Sequence, residues 1–448
     1  METKMTEGRP LLLILRFMYP LLIGNIFQQL YNMCDTIIVG RYVGDGALAA
    51  VGSTGTIFFQ VIGICNGMAG GFTVLTSQKY GAGDMEGTKL SVTNGIFLSV
   101  ILTSFMTILS LSVMKPLLQL MNTPADIYDD AYTYITTICM GTATMVFYNL
   151  FSSFLRAIGN SRMPLLFLIL SAILNIILDL VFIIYFKMGV GGAAWATNIS
   201  QGVSAILCAI YIFTKVDVLR PERAHWRFHG ESVRTQLYIG MPMSLQFGIT
   251  ASGTMVMQTA INQFGSVAVT GFTAASKVQN LLTQGMMAIG QTMAAYSGQN
   301  YGKMDLDRIH QGTKDAMKIS VVYSVAVGTA GILLLPHLMK LFFDSGVDIE
   351  PFLPWAKPYF YMCVATYLML CMIFIYRNTM QGCGYGFVAM TLGIMELVAR
   401  LITAGLSMHL KSYTLAAAAD PAAWLMTGFF AFFLYLHMRK KMQKSMGN

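Results

Sequence analysis

The stretch LLFLILSAILNIILDLVFIIYF, from Leu165 to Phe186, decides the fold. Its twenty-two residues carry one charge, Asp179, and one amide, Asn175. A helix needs about 20 apolar residues to cross the hydrocarbon core of a bilayer, whereas a barrel strand needs about ten in strict alternation. Nothing alternates here, so the segment reads as a membrane-spanning helix. Working outward, Leu98 to Met114 reads the same way, and the pattern recurs along the chain. The expected spans are 11–38, 47–77, 90–114, 127–153, 164–186, 191–213, 236–260, 267–297, 314–335, 355–377, 387–408 and 422–438. The fold class is therefore an all-α membrane protein with twelve transmembrane helices.

Composition agrees. Of 448 residues, 55% are hydrophobic and 11% charged. A soluble domain carries about 25% charged residues, so most of this surface must face lipid. The formal charge of +8 is topological rather than a sign of nucleic-acid binding. Twenty-one Lys and Arg fall at the termini and on the loops of one side, and six on the other. By the positive-inside rule both termini are expected in the cytoplasm, which requires an even number of spans. The seven cysteines form no CxxC pair and read as packing residues, not as a disulfide framework or zinc site. Lys4 and Arg9 precede an apolar run that continues beyond Leu30 and carries Asn25, Gln28, Gln29, Asn32 and Asp35. A cleaved signal has a shorter apolar region without that polar load, so a retained first span is expected.

The two halves resemble each other. Gln78-Lys79-Tyr80-Gly81-Ala82-Gly83-Asp84 faces Gln299-Asn300-Tyr301-Gly302-Lys303-Met304-Asp305, an offset of 221. The same offset pairs Gly44 with Gly265 and Arg156 with Arg377, and Ala193-Ala194-Trp195 returns as Ala422-Ala423-Trp424. Six spans per half make a parallel repeat, and transporters built this way bind substrate between their halves near mid-membrane. The expected organisation is an N-terminal lobe over 1–214, a basic cytoplasmic linker over 215–235, and a C-terminal lobe over 236–448.

A charge at mid-membrane costs at least about 2.5–3.5 kcal/mol on insertion scales, so it must be paired, hydrated or neutralised. Asp35, Asp179 and Glu396 lie well inside spans. Asn175 and Asp179 are four apart on one helical face, as are Gln28, Asn32 and Asp35 at i, i+4 and i+7. Thr197 and Asn198 lie early in the sixth span. Two carboxylates, an amide oxygen and a hydroxyl can hold Na⁺ with hard ligands, or two neighbouring carboxyls can hold a proton. A purely structural hydrogen-bond network is the competing reading. Glu396 and Arg400, at i and i+4, form an expected ion pair and fall at the offset of 221 from Asn175 and Asp179. Lys277 either snorkels or faces the cavity. Pro20 removes one hydrogen bond from the first span and invites a kink. The chain has 34 methionines, flexible side chains suited to varied apolar ligands. Met33, Met68, Met257 and Met287 are the expected cavity members, with Gln28 and Asn32.

No GxxxxGK[ST] loop occurs, so ATP-driven transport is not indicated. No HExxH or other histidine cluster appears, and no nucleophile, base or metal set marks an enzyme.

The order Pro20…Asp35-Thr36-Ile37-Ile38-Val39-Gly40, Gln78 to Asp84, Arg156-Ala157-Ile158-Gly159-Asn160, Asn175…Asp179 and Thr273-Ala274-Ala275-Ser276-Lys277 resembles the multidrug and toxic compound extrusion (MATE) family over essentially the whole chain. The resemblance implies a V-shaped pair of pseudo-symmetric six-helix lobes around a central cavity. Such a protein exports organic cations and other amphiphiles in exchange for Na⁺ or H⁺ and needs no cofactor. It also implies a cation site like that of one prokaryotic branch, formed here by Asp35, Asn175, Asp179 and Thr197, with Pro20 as the kinking proline. Another branch carries acids on helices seven and ten; spans 236–260 and 355–377 hold none. The alternative is a lipid-linked precursor flippase, which would want an arginine-rich cavity where Arg400 is the one clear mid-span arginine. A monomer in the cell's inner membrane is expected.

Overall fold

The computed structural model describes residues 4–121, 123–343 and 347–446. Its first half runs α1 (Pro10–Tyr42), α2 (Asp45–Gly81), α3 (Met85–Leu120), α4 (Tyr128–Met140), α5 (Thr142–Ala157), α6 (Arg162–Leu180) and α7 (Gly189–Lys215). Its second half runs α8 (Gly230–Asn262), α9 (Ser266–Leu282), α10 (Gln284–Gly302), α11 (Leu306–Lys340), α12 (Leu353–Ala365), α13 (Tyr367–Gly382), α14 (Gly386–Leu410), α15 (Tyr413–Ala417) and α16 (Ala419–Met446). No strand occurs among the described residues. Among the described residues, eight helices are long and apolar enough to cross a membrane, and two bent pairs, α4–α5 and α12–α13, bring the number to ten. Helix α8 and the pair α9–α10 are more polar, and they occupy the repeat positions of α1 and α2. Together these make twelve spans.

Three spans expected as single helices are broken, one of them where α9 and α10 meet at Thr283. Helices α4 and α5 meet at Gly141 with a bend of 45°, and α12 and α13 meet at Thr366 with a bend of 52°. At Gly141 the cause is local: a Cβ there would overlap the Asn198 amide, whose Nδ2 donates to Thr137 O at 2.7 Å.

The repeat is visible in backbone geometry. Gly44 and Gly265 precede α2 and α9 with positive φ, 124° and 86°. Gly83 and Met304 also have positive φ, 76° and 62°, the left-handed conformation that closes a helix. Met304 tolerates there what Gly83 adopts freely, at a cost of about 1–2 kcal/mol. The next residues, Asp84 and Asp305, cap α3 and α11 by accepting from Gly87 N at 2.8 Å and Arg308 N at 2.9 Å. Beyond α11, however, the offset changes. Tyr128–Met140 answers to Leu353–Ala365, and Thr142–Ala157 to Tyr367–Gly382, each 225 residues on. Four extra residues between α11 and α12 shift α12, α13 and the turn into α14 by one helical turn. This corrects two sequence pairings: Arg156 answers to Gln381, not Arg377, and Asn175 answers to Arg400, not Glu396.

The chain forms two compact units, and their boundaries differ from the lobes read from sequence. One unit contains residues 23–248 and the other residues 5–22 and 249–448. The first half of α1 therefore belongs with the second repeat, and the first half of α8 with the first repeat. Helix α1 runs unbroken through Pro20, and the change of unit follows two residues later. Helix α8 carries Pro242 shortly before its own change at residue 249.

Within the first unit, α8 crosses α2 at very short range. The pair Gly67 and Gly71, four residues apart on α2, faces Met243 and Gly240 on α8. Small residues at such a crossing let two backbones approach where lipid supplies no hydrophobic drive. The basic linker is part of the same unit rather than a free tether. His225 is buried, with Nε2 2.6 Å from Glu86 Oε2 and Nδ1 accepting from Glu222 N at 3.0 Å. Thr93 Oγ1 donates to His225 O at 2.8 Å, and Phe228 stacks on Phe97 at 5.1 Å. In the second unit the segment before α1 docks similarly. Met5 is buried, its N–H donates to Gln299 Oε1 at 2.9 Å, and Arg308 Nη2 donates to Gly8 O at 2.8 Å.

Candidate functional site

Within the first unit, α1, α4, α6 and α7 bring Tyr31, Asp35, Tyr134, Asn175, Asp179 and Thr197 together. Tyr31 and Asp35 are one turn apart on α1, and Asn175 and Asp179 one turn apart on α6, so each helix offers two groups on one face. Helix α6 gives way to a π-helical turn, Val181–Tyr185, directly after Leu180. Such turns rearrange side-chain register and concentrate at functional positions. Asp35 is 9% exposed and Asp179 fully buried.

The two carboxyls lie close enough to interact directly, and a hydrogen bond shared between them would require a proton on one of them. Asp35 Oδ1 is buried with no hydrogen-bond partner, an oxygen suited to receive a cation or a second proton. Thr197 Oγ1 accepts from Tyr31 Oη at 3.4 Å and from Asn175 Nδ2 at 3.4 Å. Both lone pairs of Thr197 are then engaged, so its oxygen becomes a cation ligand only when Tyr31 or Asn175 turns away. Asn175 in this arrangement presents its amide oxygen away from Thr197. All the polar groups gathered here are oxygen donors of the hard type that Na⁺ prefers. The phenols of Tyr31 and Tyr134 were not foreseen. Tyr31 lies one turn before Asp35, and that spacing was the signal that could have found it.

Glu396 and Arg400 lie in the second unit. Arg400 Nη1 is 3.5 Å from Glu396 Oε2, and its Nε donates to Asp420 Oδ1 at 2.8 Å. Arg377 Nη1 approaches Glu396 Oε1 at 3.6 Å, and Tyr359 Oη donates to Asp420 Oδ2 at 3.4 Å. The expected pair is thus half of a neutral group of four charges, all inside the unit. Asp420 escaped notice because the Asp420-Pro421 step reads as a loop. The proline instead sits in the first turn of α16, where its missing N–H costs nothing.

The expected cavity residues divide. Gln28, Asn32 and Met287 are exposed, and Met33 and Met68 half-buried. Met257 is a correction: it is 5% exposed and packed in the second unit's core with Phe272 and Tyr359. Lys277 is exposed, its Nζ 5.6 Å from the centre of the Phe342 ring.

Twelve spans in two repeated units, with a buried carboxyl pair inside one of them, define a polytopic membrane transporter. Over residues 20–181 and 242–406 the chain matches the family model described as MatE, and it belongs to that family. It is 29% identical over 299 residues to the probable multidrug resistance protein YpnP of Bacillus subtilis, a match that spans 66% of each chain. It is 24% identical over 351 residues to the probable multidrug resistance protein NorM of Thermotoga maritima, covering 75% of this chain and 73% of that one. A solved structure described as the outward-facing conformation of a multidrug resistance MATE family transporter has the same fold. The TM-score is 0.92 over 98% of both chains, at 24% identity.

Proposed function

We propose that the protein exports amphiphilic organic cations and is driven by inward movement of a cation through the Asp35–Asp179 pair. The observation that carries the reading is the meeting of two buried carboxyls, Asp35 on α1 and Asp179 on α6. Two acids in contact inside a membrane are a costly structural device and a natural ion-binding one. A proton on the pair leaves the carboxyls joined. Na⁺, or loss of that proton, breaks the shared bond and changes how α1 sits on α6. Differential binding of the ion to the two arrangements shifts their populations, which is what coupling requires. Proton and Na⁺ compete for the same oxygens. Both termini and the basic linker lie in the cytoplasm, as the Lys and Arg asymmetry directs, and the membrane is the inner membrane of a bacterial cell. The substrates are small amphiphiles, a reading that the multidrug names of the relatives support.

The test is efflux of a fluorescent organic cation from proteoliposomes, with a Na⁺ gradient and a pH gradient imposed separately. Either gradient should drive wild-type efflux, and Asp35→Asn and Asp179→Asn should each abolish the gradient-driven part. Coupled export that survives both substitutions removes the pair from the mechanism.

A further inference from the structure

The second unit holds a charged group that the proposed coupling does not use, and the repeat says where it stands. In the register set by the broken spans, Tyr359 answers to Tyr134, Arg400 to Asn175 and Ala404 to Asp179. Val256, on α8, answers to Asp35 in the earlier register of 221. The second unit thus keeps the tyrosine, loses both carboxyls and sets a guanidinium where the first has an amide. Its acids come from elsewhere: Glu396 one turn before Arg400 on α14, and Asp420 from the first turn of α16.

The guanidinium is held as an ion is held. Asp420 accepts from Nε at 2.8 Å, Glu396 Oε2 lies 3.5 Å from Nη1, and Tyr359 Oη completes Asp420. Arg400 is 4% exposed, and its Nη1 makes no hydrogen bond. Gly253 on α8 makes the room, since a Cβ there would stand 3.0 Å from Arg400 Cδ and Nη1. With Arg377, 3.6 Å from Glu396 Oε1, the group balances at two positive and two negative charges.

We propose that Arg400 is a tethered cation that fills, in the second unit, the position the first unit leaves for an exchangeable one. The second unit is then permanently loaded, and ion exchange is confined to the first. That last clause rests on the coupling proposed above; the acidic pocket around Arg400 does not.

Truncating Arg400 tests the pocket directly. Full-length wild type and Arg400→Ala are purified in detergent, and melting is followed while guanidinium, methylguanidinium, Na⁺ or choline is added at low-millimolar, matched ionic strength. Arg400→Ala leaves a buried net negative charge, and its melting temperature should fall by about 10 °C. Guanidinium should restore most of that loss and choline none, while wild type should not respond. Adding Asp420→Asn to Arg400→Ala should abolish the restoration. A folded Arg400→Ala protein with no ion-selective stabilisation overturns the proposal, as does an equal response from wild type. Arg400→Ala/Glu396→Gln restores neutrality, with Arg377 against Asp420. It should be recovered folded even where Arg400→Ala is not, and should ignore guanidinium. Loss of folding in that double variant, or a guanidinium response from it, overturns the proposal too. Melting uses no gradient, so its outcome is separate from that of the transport assay.

Discussion

Gly71→Ala is the substitution whose effect the structure fixes most closely. A Cβ at Gly71 would stand 2.8 Å from Gly240 N and 3.2 Å from Ile239 C, and closer still to Gly240 Cα. Ordinary contact begins near 3.4 Å. The obstructing atoms are backbone on both sides, so no side chain can rotate away, and α2 and α8 must separate. Overpacking costs about 1–3 kcal/mol. With a backbone-to-backbone clash the upper figure applies, about 3 kcal/mol. For a unit of this size that lowers the melting temperature by about 6–12 °C. Gly52→Ala, on the same helix, is the control, because nothing lies within 4 Å of its Cβ and alanine is the better helix former by about 1 kcal/mol. Both variants are melted in the same detergent with a thiol-reactive dye reporting exposure of the buried cysteines. If Gly71→Ala melts within about a degree of Gly52→Ala, the close crossing of α2 and α8 is not a stabilising contact.

Gly141→Ala should cost about 1–2 kcal/mol, because the new methyl collides with the Asn198 amide. Adding Asn198→Ala should return much of the lost stability in the same melting assay, and a double variant no better than the single one refutes the clash. Asp84 is held below the usual carboxylate range by the Gly87 N–H and then by Lys79. A carboxyl lowered on folding contributes above its ordinary pKa and loses that contribution as pH falls through its folded value. Its side chain is 40% exposed, so Asp84→Ala should cost about 0.5–1 kcal/mol at neutral pH. That deficit should shrink as the pH is taken from neutral to below the ordinary carboxylate range. A deficit that is constant between the two pH values excludes the charge as its source.

The span pattern was legible because lipid permits only closed backbones, and apolar length is therefore a direct readout of a helix. The breaks were not. Gly141 gives a weak hint, but Thr366 looks like any other span residue. The Asp35, Asn175, Asp179 and Thr197 set could be read because an uncompensated acid in a membrane demands a reason. Tyr134 was invisible for the opposite reason, since a tyrosine inside a span needs none, and Tyr31 offered only its one-turn spacing from Asp35. Asp420 was missed because the Asp-Pro step reads as a loop, and the pairing of Arg377 with Glu396 because it runs between helices. A constant offset also misaligned the second half by four residues, one turn of helix, which is the error least visible in an amphipathic pattern.

The exchange of half-helices between the two units has a consequence for biosynthesis. Residues 5–22 leave the ribosome well ahead of their packing partners, which lie beyond residue 249. A segment inserted early is therefore among the last to find its place. Residues 23–215 in turn remain an unclosed bundle until the linker and the first turns of α8 follow them. A ribosome halted after α7 would hold an intermediate with Gly67 and Gly71 bare on α2, and a chain cut between the repeats would leave each fragment lacking the half-helix that the other carries.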